Sequence, residues 1–224
     1  DISDYVGKLR WQGDRQSVTA KLQYSEETSN STYVGLTDAD FNQDPNRRYG
    51  LSSPDQMDNT HSGVSLTHQF EWSDNVSSTT TLYRNDFKRN WYKLSGAGNI
   101  IDQANAGDAN AQGILDGTVD TSGLNYKNNA REYVSQGMQT NFDVNIGNHE
   151  FDFGARAHED EMDRFQPVDV YDQVNGSLVF QNSVAPTGSN NRFETGEALS
   201  FWALDKWQAT DKLSINLALR YEDV

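Results

Sequence analysis

Cysteine is absent from the chain, so neither a disulfide framework nor a thiolate metal site is open to it. That usage agrees with an oxidising compartment without requiring one. Long apolar runs are missing too: nothing reaches the roughly 18 consecutive apolar residues of a transmembrane helix, which excludes that mode of membrane crossing. Positive charge is scarce. Eighteen Lys and Arg stand against 33 Asp and Glu, a formal net charge of −15. Nucleic acid is therefore a poor partner, because neutralising phosphates needs clustered basic side chains. Enzyme signatures are lacking as well. His61, His68, His149 and His158 fall into no H-E-x-x-H or other ligand spacing. No G-x-S-x-G, P-loop or dinucleotide fingerprint occurs, and no two carboxylates are set apart as acid and base. The chain reads as a non-enzyme with no resident cofactor or metal.

What is present is alternation. Leu213, Ile215, Leu217, Leu219 and Tyr221 alternate with Ser214, Asn216, Ala218 and Arg220. A period of two gives a strand with one greasy face and one polar face. The turn Ala209 to Lys212 precedes it, and before that Ala198 to Gln208 reads as a partner strand carrying Phe201, Trp202 and Trp207. Low hydrophobic content (35%) with high charge is also the composition of disorder. The 5 Trp, 10 Tyr and 10 Phe, set in periodic segments, argue against that.

The same unit recurs along the chain. Hairpins are expected at about 3–26, 62–88, 132–160 and 197–224, closed by turns of three to five residues. Strand four is ambiguous, since Leu82 falls opposite Tyr83 and Phe87. Long connections follow at about 27–61, 89–131 and 161–196. Thr37 is placed to cap a helical turn with Asp40 at its third position. Ile101 to Leu115 suggests a short helix weakened by Gly107 and Gly113. Such long connections count against an ordinary compact domain. Alternating short and long connections instead fit an all-β, antiparallel, up-and-down transmembrane β-barrel segment with short periplasmic turns and long extracellular loops. The mean hydropathy of −0.81 does not oppose this, because barrel strands put only every second residue against lipid. The polar rows hold Lys8, Lys21, Glu71, Asp143, Asp152, Arg156 and Arg220, and they would face a lumen. Trp11, Trp72, Trp91, Trp207, Tyr24 and Tyr221 lie near strand ends, as an interfacial girdle would. The chain starts at Asp1 without a leader-like segment and stops within a strand-like run, as a processed or excised piece would.

Three stretches carry a family resemblance. Tyr33 to Phe41 (YVGLTDADF), followed by Asp44 to Tyr49 (DPNRRY), resembles TonB-dependent outer-membrane receptors, on the ferric-dicitrate-receptor-like branch. Leu82 to Leu94 (LYRNDFKRNWYKL) is similar to a barrel strand and loop start of that branch. Leu217 to Glu222 (LALRYE) resembles the recurrent strand ending, with Ala218 where Gly is more usual. The resemblance implies a barrel of 22 strands around an N-terminal plug in the outer membrane of a Gram-negative bacterium. It implies uptake of a ferric siderophore or ferric citrate-like chelate, energised by the TonB complex. This chain would supply about eight strands and no plug, so an open, curved piece of wall is expected. Outer-membrane lipid and lipopolysaccharide would be its surroundings.

Chelates of that kind present oxygen-rich, often anionic ligands, for which the planar guanidinium fork is suited. Arg47, Arg48 and Tyr49 in the first loop, and Arg89, Trp91, Tyr92 and Lys93 at the start of the second, are candidate ligand contacts. The alternative is that Arg47 and Arg48 pair with Asp38, Asp40 and Asp44 to hold their own loop. Asp38-x-Asp40-x-Asn42 invites a calcium reading but fails the EF-hand template at Gln43 and Tyr49. A looser acidic-loop site for divalent cations stays open. The acidic run Glu159 to Asp163 reads as a solvated rim or as a place for ions bridging lipopolysaccharide, with His158 a hydrogen-bonding residue. Two other function classes compete: a passive porin and a soluble secreted β-rich binding module. An upstream plug separates receptor from porin, and detergent dependence separates barrel from soluble module.

Overall fold

In the computed structural model, which describes residues 1–224, the chain is an antiparallel meander with three elaborated connections. In chain order the strands are β1 (Ile2–Gln12), β2 (Gln16–Ser29), β3 (Gln56–Ser73), β4 (Val76–Ser95), β5 (Thr121–Ile146) and β6 (His149–Phe165). They continue with β7 (Val168–Val174), β8 (Ser177–Val184), β9 (Asn191–Thr210) and β10 (Leu213–Asp223). Eight of them form a wall in the order β1-β2-β3-β4-β5-β6-β9-β10, open at β1 and β10. The hairpin β7–β8 attaches to β5 beyond the point where β6 ends, bringing the sheet to ten strands.

Connections alternate by end. Residues 13–15, 74–75, 147–148 and 211–212 make tight turns at one end; 30–55, 96–120 and 166–190 form the long excursions at the other. Gly147 turns at φ 60, a left-handed conformation that costs glycine little.

Register then fixes the faces. Leu9, Ala20, Leu66, Leu82, Met138, Ala157 and Leu199 share one row across seven strands. The adjacent row on the opposite face is Arg10, Thr19, Thr67, Thr81, Gln139, Arg156 and Ser200. The wall is therefore apolar on one side and polar on the other, without a second sheet against either. Leu9 is 76% exposed and Leu219 75%. Strand four's ambiguity resolves on register: Leu82 lies on the apolar side, and Tyr83 lies on the polar side, where its hydroxyl meets His158 Nδ1 at 2.5 Å. His158 Nε2 in turn lies 2.9 Å from Asp160.

The apolar side is a band of limited height. From Ile146 to Met138 it spans about 27 Å of strand, roughly 20 Å after the usual tilt, close to the lipid band of outer-membrane barrels. One row above, β4 to β9 carry Arg84, Gln136, Glu159 and Glu197 instead. These strands run on well past the band.

Beyond the band sits a cap with its own core. Val34, Tyr49, Leu51, Leu94, Ala97, Leu115, Leu124 and Tyr126 form one buried cluster drawn from the first two long connections and the loop-end tips of β4 and β5, with Tyr171 and Leu178 of the β7–β8 hairpin packed against it. Tyr126 donates to Leu51 O at 2.5 Å, and Leu94 N donates to Asp55 Oδ1 at 2.9 Å.

Several expectations need correction. The strands outrun the hairpin limits read from the sequence, β5 beginning at Thr121 rather than about 132. Backbone pairing between adjacent wall strands simply continues past the apolar band, to Ser95↔Asn125 and Phe165↔Asn191. The third connection is not structureless: it contains β7–β8. The helix expected over 101–115 is two helices, α2 (Ala97–Asn105) and α3 (Ala109–Leu115), broken at Gly107 with φ 93. Trp91 leaves the girdle: its Nε1 donates to Ser31 O at 3.0 Å, within the cap. The first-loop helix α1 (Asp38–Gln43) forms as expected, Thr37 accepting from the Asp40 backbone N–H.

Candidate functional site

The first-loop candidates are engaged in holding the cap. Asp40 is the hub: Tyr49 donates its hydroxyl to Asp40 Oδ2 at 2.5 Å, Gln112 reaches the same oxygen at 3.2 Å, and Arg47 Nη1 lies 2.7 Å from Oδ1. Arg47 continues to Asp116 after α3, so one guanidinium ties the first long connection to the second. The Tyr49 hydrogen bond, with those from Gln112 and Thr37 and the charge of Arg47, holds the Asp40 carboxyl below its ordinary range. Burial and the bond to Asp40 push the Tyr49 hydroxyl up. Arg48 donates to the carbonyls of Asn30 at 2.8 Å, Asp55 at 3.0 Å and Ser52. Arg47 thus follows the loop-pairing alternative, through Asp40; Arg48 follows neither reading and binds backbone. Asp38 and Asp40 do not converge on a cation position, and no group of three or more His, Asp or Glu is arranged to hold one.

Tyr92 is likewise engaged, donating to Asp169 at 2.9 Å and stacking on Tyr126. Arg89 is not. It belongs to a feature that the sequence reading did not find.

At the level of Arg89 the register brings four arginines into one row. Arg89 pairs with Arg131, Arg131 with Arg164, and Arg164 with Arg192, on four neighbouring wall strands. By alternation they share the polar face, about 23 Å of strand beyond the Leu82 row. Like charges placed directly opposite across strands destabilise a sheet. Here the cost is scarcely offset. Arg192 meets Glu194 at 2.8 Å, Arg131 donates to Tyr133 Oη at 3.2 Å, and Arg164 donates to Ser189 O at 3.0 Å. Arg89 has no partner, and the Nε atoms of Arg89, Arg131 and Arg164 are buried without one. The facing Asn59 on β3 has its Oδ1 unpartnered too, so four of the six such atoms in the protein fall in this row. Each buried unmet donor costs about 1–3 kcal/mol. Burial, and then the charges of Arg131 and Arg192, pull the Arg164 pKa down.

Local rules broken together at one place mark functional or strained sites. Convergent guanidinium forks suit a multi-oxygen anion. Directly below lie Phe87 and Tyr133, stacked at 6.1 Å, with Met162 beside them in register. Part of this row was within reach of the sequence: the turn at 147–148 pairs Ile146 with His149, and counting outward pairs Arg131 with Arg164. The other two pairings cross long connections, where no local signal fixes register.

Comparisons with known proteins agree on the architecture. The family model described as TonB dependent receptor-like, beta-barrel matches residues 4–224. No curated protein matches the chain in sequence. Among solved structures, the ferric citrate transporter FecA in its unliganded form superposes with a TM-score of 0.62 at 17% identity, covering 99% of this chain and 29% of that one. BauA, the ferric preacinetobactin receptor of Acinetobacter baumannii, gives 0.51 at 12% identity, covering 99% and 33%. The chain thus spans about a third or less of those receptors' length. With strands, alternation of connections and family model in accord, the chain belongs to the TonB-dependent receptor β-barrel family.

Proposed function

We propose that this segment is part of the wall of an outer-membrane receptor that takes up an anionic ferric chelate, of the citrate or siderophore kind, using energy delivered through TonB. The apolar side faces lipid, the tight turns face the periplasm, and the cap stands outside the cell. The observation that carries the ligand class is the Arg89–Arg131–Arg164–Arg192 row, four adjacent cations, three of them with an unpartnered Nε, on a chain of net charge −15. A carboxylate-rich or otherwise oxyanionic ferric complex supplies the acceptors that the protein withholds. Energy coupling would act through a plug and further strands in the parent receptor, as expected for a segment spanning 29% of FecA. Above the lipid band, Arg84 with Asp86 and Lys88 with Glu132 lie at headgroup height, where lipopolysaccharide would meet them.

The test is equilibrium binding and uptake of iron-loaded citrate by the full-length receptor carrying Arg131→Gln with Arg164→Gln. Binding should weaken at least about tenfold, as expected when charge-assisted hydrogen bonds are removed, while a neutral hydroxamate chelate is unaffected. Unchanged citrate binding would refute the assignment of the row.

A further inference from the structure

Four residues beyond the arginine row, on the same strands and the same face, Lys93 and Lys127 stand directly opposite each other. Opposed lysines about 5 Å apart at Cβ repel, and neither meets a carboxylate: Lys127 donates to Asn190 Oδ1 at 2.7 Å. Lys93 is held differently. Its Nζ sits 3.5 Å from the centre of the Tyr33 ring and 4.0 Å from that of Trp91, two rings set edge to face at 5.5 Å. This is an aromatic cage filled by the protein's own ammonium. Burial, then Arg89 and Lys127, lower the Lys93 pKa; burial, then Arg131 and Arg164, lower that of Lys127. The basic side chains therefore run in two tiers, from the capped end of the wall down to the arginine row.

We propose that Lys93 and Lys127 form an outer anion subsite that captures the chelate before the arginine row binds it, with Lys93 parked in the Tyr33–Trp91 cage until an anion draws it toward Lys127. The chemistry required of the ligand is a carboxylate or comparable oxyanion on the side facing out of the wall. The inference rests on the reading of the arginine row as the final site, but the lysine pair makes a separate, kinetic contribution. Charges at the rim of a binding site act mainly on association rate and its salt dependence, whereas buried charges act on dissociation.

The experiment uses the full-length receptor in detergent micelles, with ferric citrate as probe and iron-free citrate as control. Lysine reactivity is read residue by residue after brief exposure to a water-soluble acylating reagent. Ferric citrate should protect Lys93 and Lys127, and leave Lys8 and Lys21, an opposed pair lower on the same face, as reactive as before. Protection should survive Arg131→Gln/Arg164→Gln, even where retention of the chelate is lost. In stopped-flow measurements Lys93→Met/Lys127→Met should slow association about tenfold and flatten its salt dependence, with dissociation little changed. Protection that vanishes with the arginine row, or an association rate indifferent to the double lysine substitution, overturns the outer subsite. Normal retention by the arginine variant overturns the inner site alone, and leaves the lysine pair to be judged by its own protection.

Discussion

Wall and cap obey opposite solvent rules within one chain. In the wall, large apolar side chains such as Leu9, Leu82 and Leu219 point outward with nothing over them. In the cap, Leu51 and Tyr126 are 0% exposed, and polar groups are matched in detail around Asp40 and Asp55. The interior strands of the wall pair their backbone on both sides and leave only side chains outward, as a lipid-facing surface requires. The cap carries a dry core of the kind a water-soluble domain needs. The arginine row lies beyond the apolar band and near the cap, on the polar face of the wall.

That contrast predicts which substitutions matter where. Leu82→Arg places a charge in the lipid band and should cost about 2–4 kcal/mol, blocking assembly as read by heat-modifiable mobility. Thr81→Arg, one residue away on the polar face, should assemble normally. A cost common to both positions would erase the distinction between faces. Leu51→Ala should cost the cap about 2–5 kcal/mol. Hydrogen exchange should rise across 30–55 and 96–120 while β9 and β10 stay protected; exchange rising throughout would show that wall and cap are one cooperative unit. Gly154→Ala is a wall defect of smaller size. Its Cβ would come within 2.3 Å of Thr140 O and 2.4 Å of Trp202, which crosses the polar face there. Overpacking of this sort costs about 1–3 kcal/mol, visible as a lowered denaturant midpoint without change in the cap.

The smallest effect is a pH dependence confined to the cap. Asp40 titrates below its ordinary value when folded, so its contribution is complete above the unfolded carboxylate pKa and is lost as pH falls through the lower folded value. Asp55, raised by burial, carries the opposite sign: its ionisation weakens the cap as pH rises through the elevated value. Exchange in residues 37–49 should therefore accelerate in acid for the native chain and lose that acid step in Asp40→Asn. An identical acid profile in the variant would remove Asp40 from the hub.

The four hairpins, and the faces of every wall strand but β4, were legible because period-two alternation and tight turns are local signals. Thr37 as a cap was legible for the same reason. The rest depended on distance. The pairings of Arg89 with Arg131 and of Arg164 with Arg192 span connections of 25 residues each, 96–120 and 166–190, which set no register of their own. Hairpin β7–β8 read as loop because Val168 to Val184 interleaves Asp, Gln, Asn and Gly with its apolar residues. Trp91 looked like a girdle residue since a Trp near a strand end is ambiguous until the height of the lipid band is known. The pairing of Arg47 with Asp40 was within reach of the sequence, but Asp116 and Gln112, which complete the hub, lie more than sixty residues from Arg47 and Tyr49.

The central claim is the two-sided wall, and no native cysteine within this segment interferes with its test. Single cysteines placed from Gly137 to Val144 along β5 can be challenged with a membrane-impermeant thiol reagent on the receptor in lipid vesicles. Reactivity should alternate, high at 137, 139, 141 and 143 and low at 138, 140, 142 and 144. Uniform reactivity, or shielding of the odd positions instead, would contradict the account.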